Sequence, residues 1–301
     1  MSRPQPIRIA STNLSIGNSF RMLEGKVGIV TGASRGIGNA IAHNLASKGC
    51  SLILNFTSES SSQRTIDLAS QLQQEHGIQA VAVQADMGSE NGPAHLIAVA
   101  KNHFQHPKTQ KFQLDIIINN AGVSGNHNIE EVEIDEFLRQ YNVNVRGPLL
   151  LIKAALPYLP NDRSGRIVNL SSVSSSLGFV GQSVYGGTKA ALEAMTRTWA
   201  RELSERATVN AVNPGPVATD MYGGTTEAFQ QRMKRFLQTT PLAVPREGID
   251  SEEVCAAAVK DGGRAAYETE IAGVVGMLCS PEGGWSTGSV VCANGGMKFS
   301  Y

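Results

Sequence analysis

Thr31-Gly32-Ala33-Ser34-Arg35-Gly36-Ile37-Gly38 follows the apolar run Val27 to Val30 and leads into Ile37, Ile41 and Leu45, which recur on one helical face. The pattern reads as a strand that turns through glycines into a helix. Such a turn makes an anion site, because free backbone N–H groups and the positive end of the helix face the same point. Glycines let a pyrophosphate approach the backbone and let the helix pack closely on the sheet. The spacing is Gly-x-x-x-Gly-x-Gly. It differs from the Gly-x-Gly-x-x-Gly dinucleotide pattern and from the Gly-x-x-x-x-Gly-Lys of a phosphate-binding loop. Three glycines alone fit a plain tight turn equally well, so the residues further along decide.

Outward from this loop the chain alternates. Strands are expected at 26–31, 50–55, 78–84, 114–118, 165–170, 208–212 and 288–292, and helices at 36–48, 61–76, 90–104, 147–157 and 184–205. Runs such as Asp115-Ile116-Ile117-Ile118 suit strands buried on both faces. Strand–helix alternation predicts an α/β fold: one doubly wound, Rossmann-type parallel sheet of about seven strands with helices on both faces and right-handed crossovers. No linker divides the stretch 24–301, which reads as one domain behind an N-terminal arm, 1–23.

At 301 residues with 41% apolar side chains, the chain has the composition of a globular protein with a sizeable core. Twenty-six basic residues balance 26 acidic ones, which argues against nucleic acid or a membrane surface as partner. No apolar run approaches a membrane span. Cys50, Cys255, Cys279 and Cys292 are scattered and read as free thiols of a reducing compartment, so the expected location is cytoplasmic. No His or Cys spacing completes a metal site. The first 22 residues carry Arg3, Arg8 and Arg21 with no acid before Glu24. A draped arm and a mitochondrial transit peptide both fit, with Pro4 and Pro6 favouring the arm.

In a doubly wound sheet, ligands sit beyond the carboxyl ends of the strands. The chemistry-bearing residues fall there: Asp86, then Asn119-Asn120-Ala121-Gly122, then Ser171 and Ser172, then Asn213-Pro214-Gly215-Pro216. Tyr185 and Lys189, four apart, open a helix and share one face. An ammonium beside a phenol favours the phenolate and is expected to lower the tyrosine pKa from about 10. That would make Tyr185 a proton exchanger near neutral pH.

The glycine loop, Asn-Asn-Ala-Gly, a serine thirteen residues before the tyrosine, Tyr185 with Lys189, and Pro-Gly occur in one order. The ordered set resembles the short-chain dehydrogenase/reductases, closest to members like the 3-oxoacyl-carrier-protein reductases, over roughly residues 24–245 and 268–297. The resemblance implies a hydride-transferring oxidoreductase acting on a ketone or secondary alcohol. The guess for that carbonyl is ketoacyl, polyketide-like or another secondary metabolite. Tyr185 would be the general acid, Lys189 would tune it and hold the nicotinamide ribose, and Ser172 would bond the carbonyl oxygen. Ser171 is its rival; the spacing and strand alternation favour Ser172. Asn144, rather than Asn142, matches the asparagine that orders a relay water. Gly32, Ser34, Gly36, Ile37 and Gly38 would cradle the pyrophosphate, while Asp86 and Met87 would meet the adenine. Asn120, Ala121 and Gly122 would line the adenosine side, and Pro214, Gly215, Val217 and Thr219 the nicotinamide end. Helices near 147–157 and 184–205 would pair subunits into a homodimer or homotetramer.

The cofactor form follows from what is missing. NAD sites carry an acid near the end of the second strand to bind the ribose 2′-hydroxyl. Here that place reads Leu54-Asn55-Phe56-Thr57-Ser58. Arg35 can pair with a 2′-phosphate, and Asn55, Thr57 and Ser58 can assist, a pattern that in the resembling family goes with NADP(H). Residues 217–240 are the expected substrate loop, with Met221, Tyr222, Phe229, Met233 and Phe236 as candidate lining. A helix that packs 229, 233 and 236 into its own core is the competing reading. The stretch 246–267 is an insertion, with Ser251 capping a short helix that ends near Gly262-Gly263. Asn294 stands where relatives carry Asp. The run Ser124 to Asn128 reads as a second pocket edge, where His127 either touches substrate or, the favoured reading, sits on a surface loop. Two other uses of this scaffold stay open: non-redox chemistry (dehydration, isomerisation or cyclisation), and an NADP(H)-sensing regulator.

Overall fold

The computed structural model describes residues 21–299. The expectations for the first twenty residues lie outside the described residues. Seven strands form one all-parallel sheet: β1 Val27–Val30, β2 Ser51–Phe56, β3 Ala80–Gln84, β4 Ile116–Asn119, β5 Gly165–Leu170, β6 Ala207–Pro214 and β7 Val290–Ala293. Their order is β3-β2-β1-β4-β5-β6-β7. The winding therefore reverses between β1 and β4, where a ligand crevice opens. The helices are α1 Gly36–Ser47, α2 Ser62–His76, α3 Gly92–Phe104, α4 Ile134–Tyr141, α5 Gly147–Ala155, α6 Ser174–Leu177, α7 Ser183–Glu202, α8 Asp220–Gly223, α9 Glu227–Gln238, α10 Glu252–Asp261 and α11 Glu268–Cys279. The expected α/β architecture holds, with boundaries displaced by a few residues. None of the described helices is long and apolar enough to cross a membrane.

Alternation along each strand builds two cores. Val30, Leu52, Leu54, Ile116, Ile118, Val168 and Val212 face α1, α2 and α11, with Ile41, Leu45, Leu72 and Val275 opposite. Ile29, Ile53, Ile117, Ile167 and Val209 face the other way, onto Leu96 of α3, Leu151 of α5 and Trp199 of α7. Both faces are covered, which is why the strands read as continuous apolar runs.

The stretch 246–267 carries the expected short helix. Ser251 caps α10 by accepting the Val254 N–H, and Gly262 ends it at φ +83°. It is tied to the segment after β6 by two backbone bonds, Ala218 N–H to Ala266 O and Ala266 N–H to Pro216 O, both 2.9 Å. Arg264 grips Glu270 with both terminal nitrogens, at 2.9 and 2.7 Å. Tyr267 donates to Asp250 at 2.9 Å. Asn294 pins the C-terminal turn: its amide donates to Asn213 Oδ1 at 3.1 Å and its oxygen accepts the Gly296 and Lys298 N–H groups.

Candidate active site

The loop after β1 is held open by side chains rather than by its own turn. Thr31 Oγ1 donates to Ile118 O at 3.1 Å and accepts the N–H groups of Asn120 and Ala121, each at 3.0 Å. Asn120 returns its amide to Thr31 O and Gly32 O, at 2.8 and 3.1 Å. These bonds staple the β1 exit to the β4 exit across the reversal point. Thr31, not singled out in the sequence, was legible only as the first letter of the loop. Gly32 and Gly36 adopt φ of +62° and +58°, a region that glycine enters without steric cost. A Cβ on Gly38 would sit 2.3 Å from Gly32 O and 2.5 Å from Asn120 Nδ2. The cradle therefore exists only with glycine at that position. Above it stand the first N–H groups of α1, which helix geometry leaves without an internal acceptor. Those donors and that clearance fit a pyrophosphate.

The residues read for the adenosine end divide. Asn55 is fully buried. Its oxygen accepts the Gly32 N–H at 3.3 Å, and its amide donates to Ala85 O at 2.9 Å and more weakly to Phe56 O and Val83 O. It braces the loop from beneath and has no free atom for a ribose. Arg35, Thr57 and Ser58 are exposed. Arg35 Nε lies 3.5 Å from Asp220, itself exposed. Asp86 accepts the Gly88 N–H at 2.8 Å. Met87 is buried, and its carbonyl would lie 2.5 Å from a Cβ on Gly147, which fixes the close approach of α5.

Tyr185 and Ser172 meet in one cleft of about 670 Å3 of empty space open to solvent. Both side chains line it, with Ser172 beside the phenol. Ser171 is turned away, its hydroxyl donating to Glu193 at 2.6 Å. Ser172 is set by α6: it accepts the Ser174 N–H at 3.1 Å and donates to Ser174 Oγ at 3.0 Å. Lys189, one turn after Tyr185, is buried and donates to Leu170 O at 2.7 Å. Asn144 lies in a π-turn, Asn142–Arg146, between α4 and α5, a feature that concentrates at functional sites. Its side chain pairs with both backbone groups of Val123 and donates to Thr188. The π-turn and the Thr188 partner had no local sequence signal.

The electrostatics differ from the sequence expectation. The Lys189 ammonium lies 5.6 Å from the Tyr185 ring centre. Burial pushes the phenol up to about 12, the neighbouring Ser172 hydroxyl opposing it only in part. Burial also pushes Lys189 down to about 8, with Glu193 opposing. In this enclosed site desolvation outweighs the neighbouring charge. Tyr185 is thus a proton holder at neutral pH.

The far wall comes from the stretch 217–240. Met221, Tyr222, Phe229 and Met233 line the cleft as expected. Phe236 instead packs edge-on against Phe179 at 4.9 Å. Phe229 and Met233 are also buried, so lining and core-packing are the same face of α9. His127 is exposed, and the 124–128 strap is held by its N–H to Gly181 O at 2.8 Å.

A family model described as short chain dehydrogenase matches residues 26–229. The chain belongs to the short-chain dehydrogenase family. The family's members similar to it include an L-xylulose reductase of Aspergillus niger, 54% identical over 297 residues, covering 93% of this chain and 99% of that one. An L-xylo-3-hexulose reductase of Hypocrea jecorina is 48% identical over 300 residues, covering 93% and 99%. Among solved structures, a blue fluorescent protein from a metagenomic library, in complex with NADPH, superposes with TM-score 0.77 at 31% identity. That match covers 92% of this chain and 100% of the other. As a member of this family, the short-chain dehydrogenase described here is an oxidoreductase of the hydride-transferring, carbonyl-reducing kind, acting on a small molecule.

Proposed function

We propose that this protein is an NADP(H)-dependent reductase of an open-chain, polyhydroxylated ketone, with Tyr185 as proton donor. The observation that carries the reading is the convergence of Ser172 and Tyr185 in one cleft, with Lys189 one turn behind, beyond a glycine cradle shaped for a pyrophosphate. The ketoacyl substrate guessed from the sequence gives way to a sugar-type ketone, because the two curated relatives are named as reductases of such ketones. The hydroxyl-rich wall of Ser124, Ser174, Thr219 and Thr225 agrees with it. A sensor would have no use for the acid, and a non-redox scaffold would not need the cradle and acid together. The direct test is NADPH oxidation against a panel of ketoses and plain ketones.

Bound NADPH would supply the hydride. Gly32, Ser34, Gly36, Ile37 and Gly38 would hold its pyrophosphate, and Pro214, Gly215, Val217 and Thr219 its nicotinamide end. Asn120 shapes the loop, and Ala121 and Gly122 border the ribose path. Ser172 and Tyr185 donate to the carbonyl oxygen, stabilising the negative charge that grows there. Tyr185 then passes its proton to that oxygen. Lys189, held by Leu170 O, keeps a positive charge behind the phenol. Asn144 fixes the Val123 strap beside both.

The pKa directions give the pH dependence. Ketone reduction needs protonated Tyr185 and charged Lys189. It should stay level up to about pH 8 and then fall, because Lys189 loses its proton long before Tyr185 does. Alcohol oxidation needs the phenolate as well as charged Lys189. It should climb with pH and level off near about 8, where further phenolate is offset by neutral lysine. Initial rates in both directions across pH check this; a reduction limb above about pH 10 would contradict it.

The cofactor form rests on Arg35. Its exposed pairing with Asp220 is weak and leaves it free to turn to a 2′-phosphate. Arg35→Ala should raise KM for NADPH about ten- to a hundredfold, as expected for a lost charged contact, and leave NADH nearly unchanged. Equal use of NADH and NADPH by the native protein would sink this reading.

A further inference from the structure

One carboxylate beside the site has no step in the mechanism. Tyr185, Lys189 and Glu193 follow one another at four-residue intervals on α7 and so form one stripe. Glu193, half-buried, stands at its far end. A single oxygen of its side chain, Oε1, accepts the Ser171 hydroxyl at 2.6 Å and the Ser175 hydroxyl at 2.7 Å. Ser171 lies directly after β5, and Ser175 lies inside α6. The two serines bracket Ser172, one residue before it and three residues after. One oxygen on the Tyr185 helix therefore spans the turn that carries the second donor.

Both bonds are of the strong kind, a hydroxyl donating to a carboxylate at short distance. Ser171 is buried, which keeps water from competing for its bond. Its hydroxyl also lies 3.4 Å from Lys189 O, too long to replace the Glu193 bond. The backbone bonds of the turn run the other way. Ser171 N–H donates to Val212 O at 2.8 Å and Val173 N–H to Pro214 O at 3.0 Å, which fixes the turn to β6. Toward α7, Lys189 grips Leu170 O, before the turn begins. Glu193 grips on both sides of Ser172.

Resting on the ketone-reductase reading above, we propose that Glu193 is a positioning residue. Through Ser171 and Ser175 it locks the Ser172 turn to α7, so that the Ser172 and Tyr185 hydroxyls converge on one carbonyl oxygen. Misplacing a reacting group by about 1 Å costs about a hundredfold in rate, so a loosened turn is felt in the chemical step. Glu193 also favours the charge on Lys189, and the two roles separate by substitution. A glutamine oxygen still accepts both hydroxyls but carries no charge. An alanine does neither.

The test is single-turnover NADPH oxidation at saturating cofactor and ketose. It runs at about pH 6, well below the Lys189 value of about 8, so the lysine keeps its proton in every variant. Glu193→Ala should slow the step about tenfold or more. Glu193→Gln should stay within about threefold of native, the scale of a sub-kilocalorie change. The double change Ser171→Ala with Ser175→Ala should match Glu193→Ala, and it carries the same comparison if that variant fails to fold. In a Ser172→Ala background no donor is left to position, so adding Glu193→Ala should cost less than about twofold. An equal loss with and without Ser172 would mean general loosening of the fold and overturn the assignment. Glu193→Gln as slow as Glu193→Ala would overturn it in favour of the charge, and so would native rates in Glu193→Ala. Each of these leaves the reductase intact. Failure of the native protein to oxidise NADPH with any ketone, ketoses included, overturns the reductase reading and this one with it.

Discussion

Tyr185→Phe should lower kcat for ketone reduction by roughly a thousandfold, the scale of a lost general acid. The change keeps the ring and removes one oxygen. The cleft has no ready substitute for that proton. Ser172 donates to Ser174 Oγ, and the Lys189 ammonium is held on Leu170 O. Ser171 is bound to Glu193. In the variant the proton must come from solvent, and the carbonyl oxygen keeps only Ser172, whose hydroxyl must first turn away from Ser174. Because the glycine cradle lies on other elements, NADPH affinity by fluorescence titration should stay within about threefold of native, the shift of a sub-kilocalorie change. Single-turnover NADPH oxidation reads the chemical step itself. A loss below about tenfold would mean that another group protonates the product.

Gly38→Ala should abolish detectable NADPH binding and destabilise the fold. The added methyl would meet Gly32 O at 2.3 Å and Asn120 Nδ2 at 2.5 Å. Neither can move cheaply. Gly32 O already accepts from Asn120, whose backbone is clipped to Thr31. The first turn of α1 must shift away from the sheet, taking its N–H groups with it. Overpacking of this kind costs about 1–3 kcal/mol, a drop of about 2–4 °C in Tm for each kcal/mol at this size. Gly273 is the control. It lies on the exposed side of α11, and a Cβ there meets nothing within 4 Å. Gly273→Ala should be neutral or stabilising by up to about 1 kcal/mol. Thermal unfolding and NADPH titration of the pair separate a cradle effect from a generic glycine effect. Equal NADPH affinity in Gly38→Ala and native protein would contradict the assignment of the cradle.

What the sequence made legible was local or periodic. The strand runs, the glycine loop and the Tyr185–Lys189 spacing are each written within a few residues. Their shared edge follows from the parallel sheet. The helix cap at Ser251 and the stop at Gly262 were equally readable. The rest depended on long-range contact. Asn55 looks like a ribose ligand by its place after the loop, yet its amide is engaged by the carbonyls of Phe56, Val83 and Ala85 and by the Gly32 N–H. The expected drop in the Tyr185 pKa considered one neighbour and could not include the burial that dominates. The Asn142–Arg146 π-turn has no composition signal, and the Gln182–Asn126 bond joins residues 56 apart in the chain.

The most direct test of the central claim, hydride transfer to a ketose carbonyl, uses NADPH deuterated at the nicotinamide C4 position. Each C4 epimer is supplied separately, and the alcohol product is weighed by mass spectrometry. The account predicts a product heavier by one deuterium from one epimer and unlabelled product from the other. A converted ketose with no label from either epimer would mean that the cleft performs non-redox chemistry, and the account would fall.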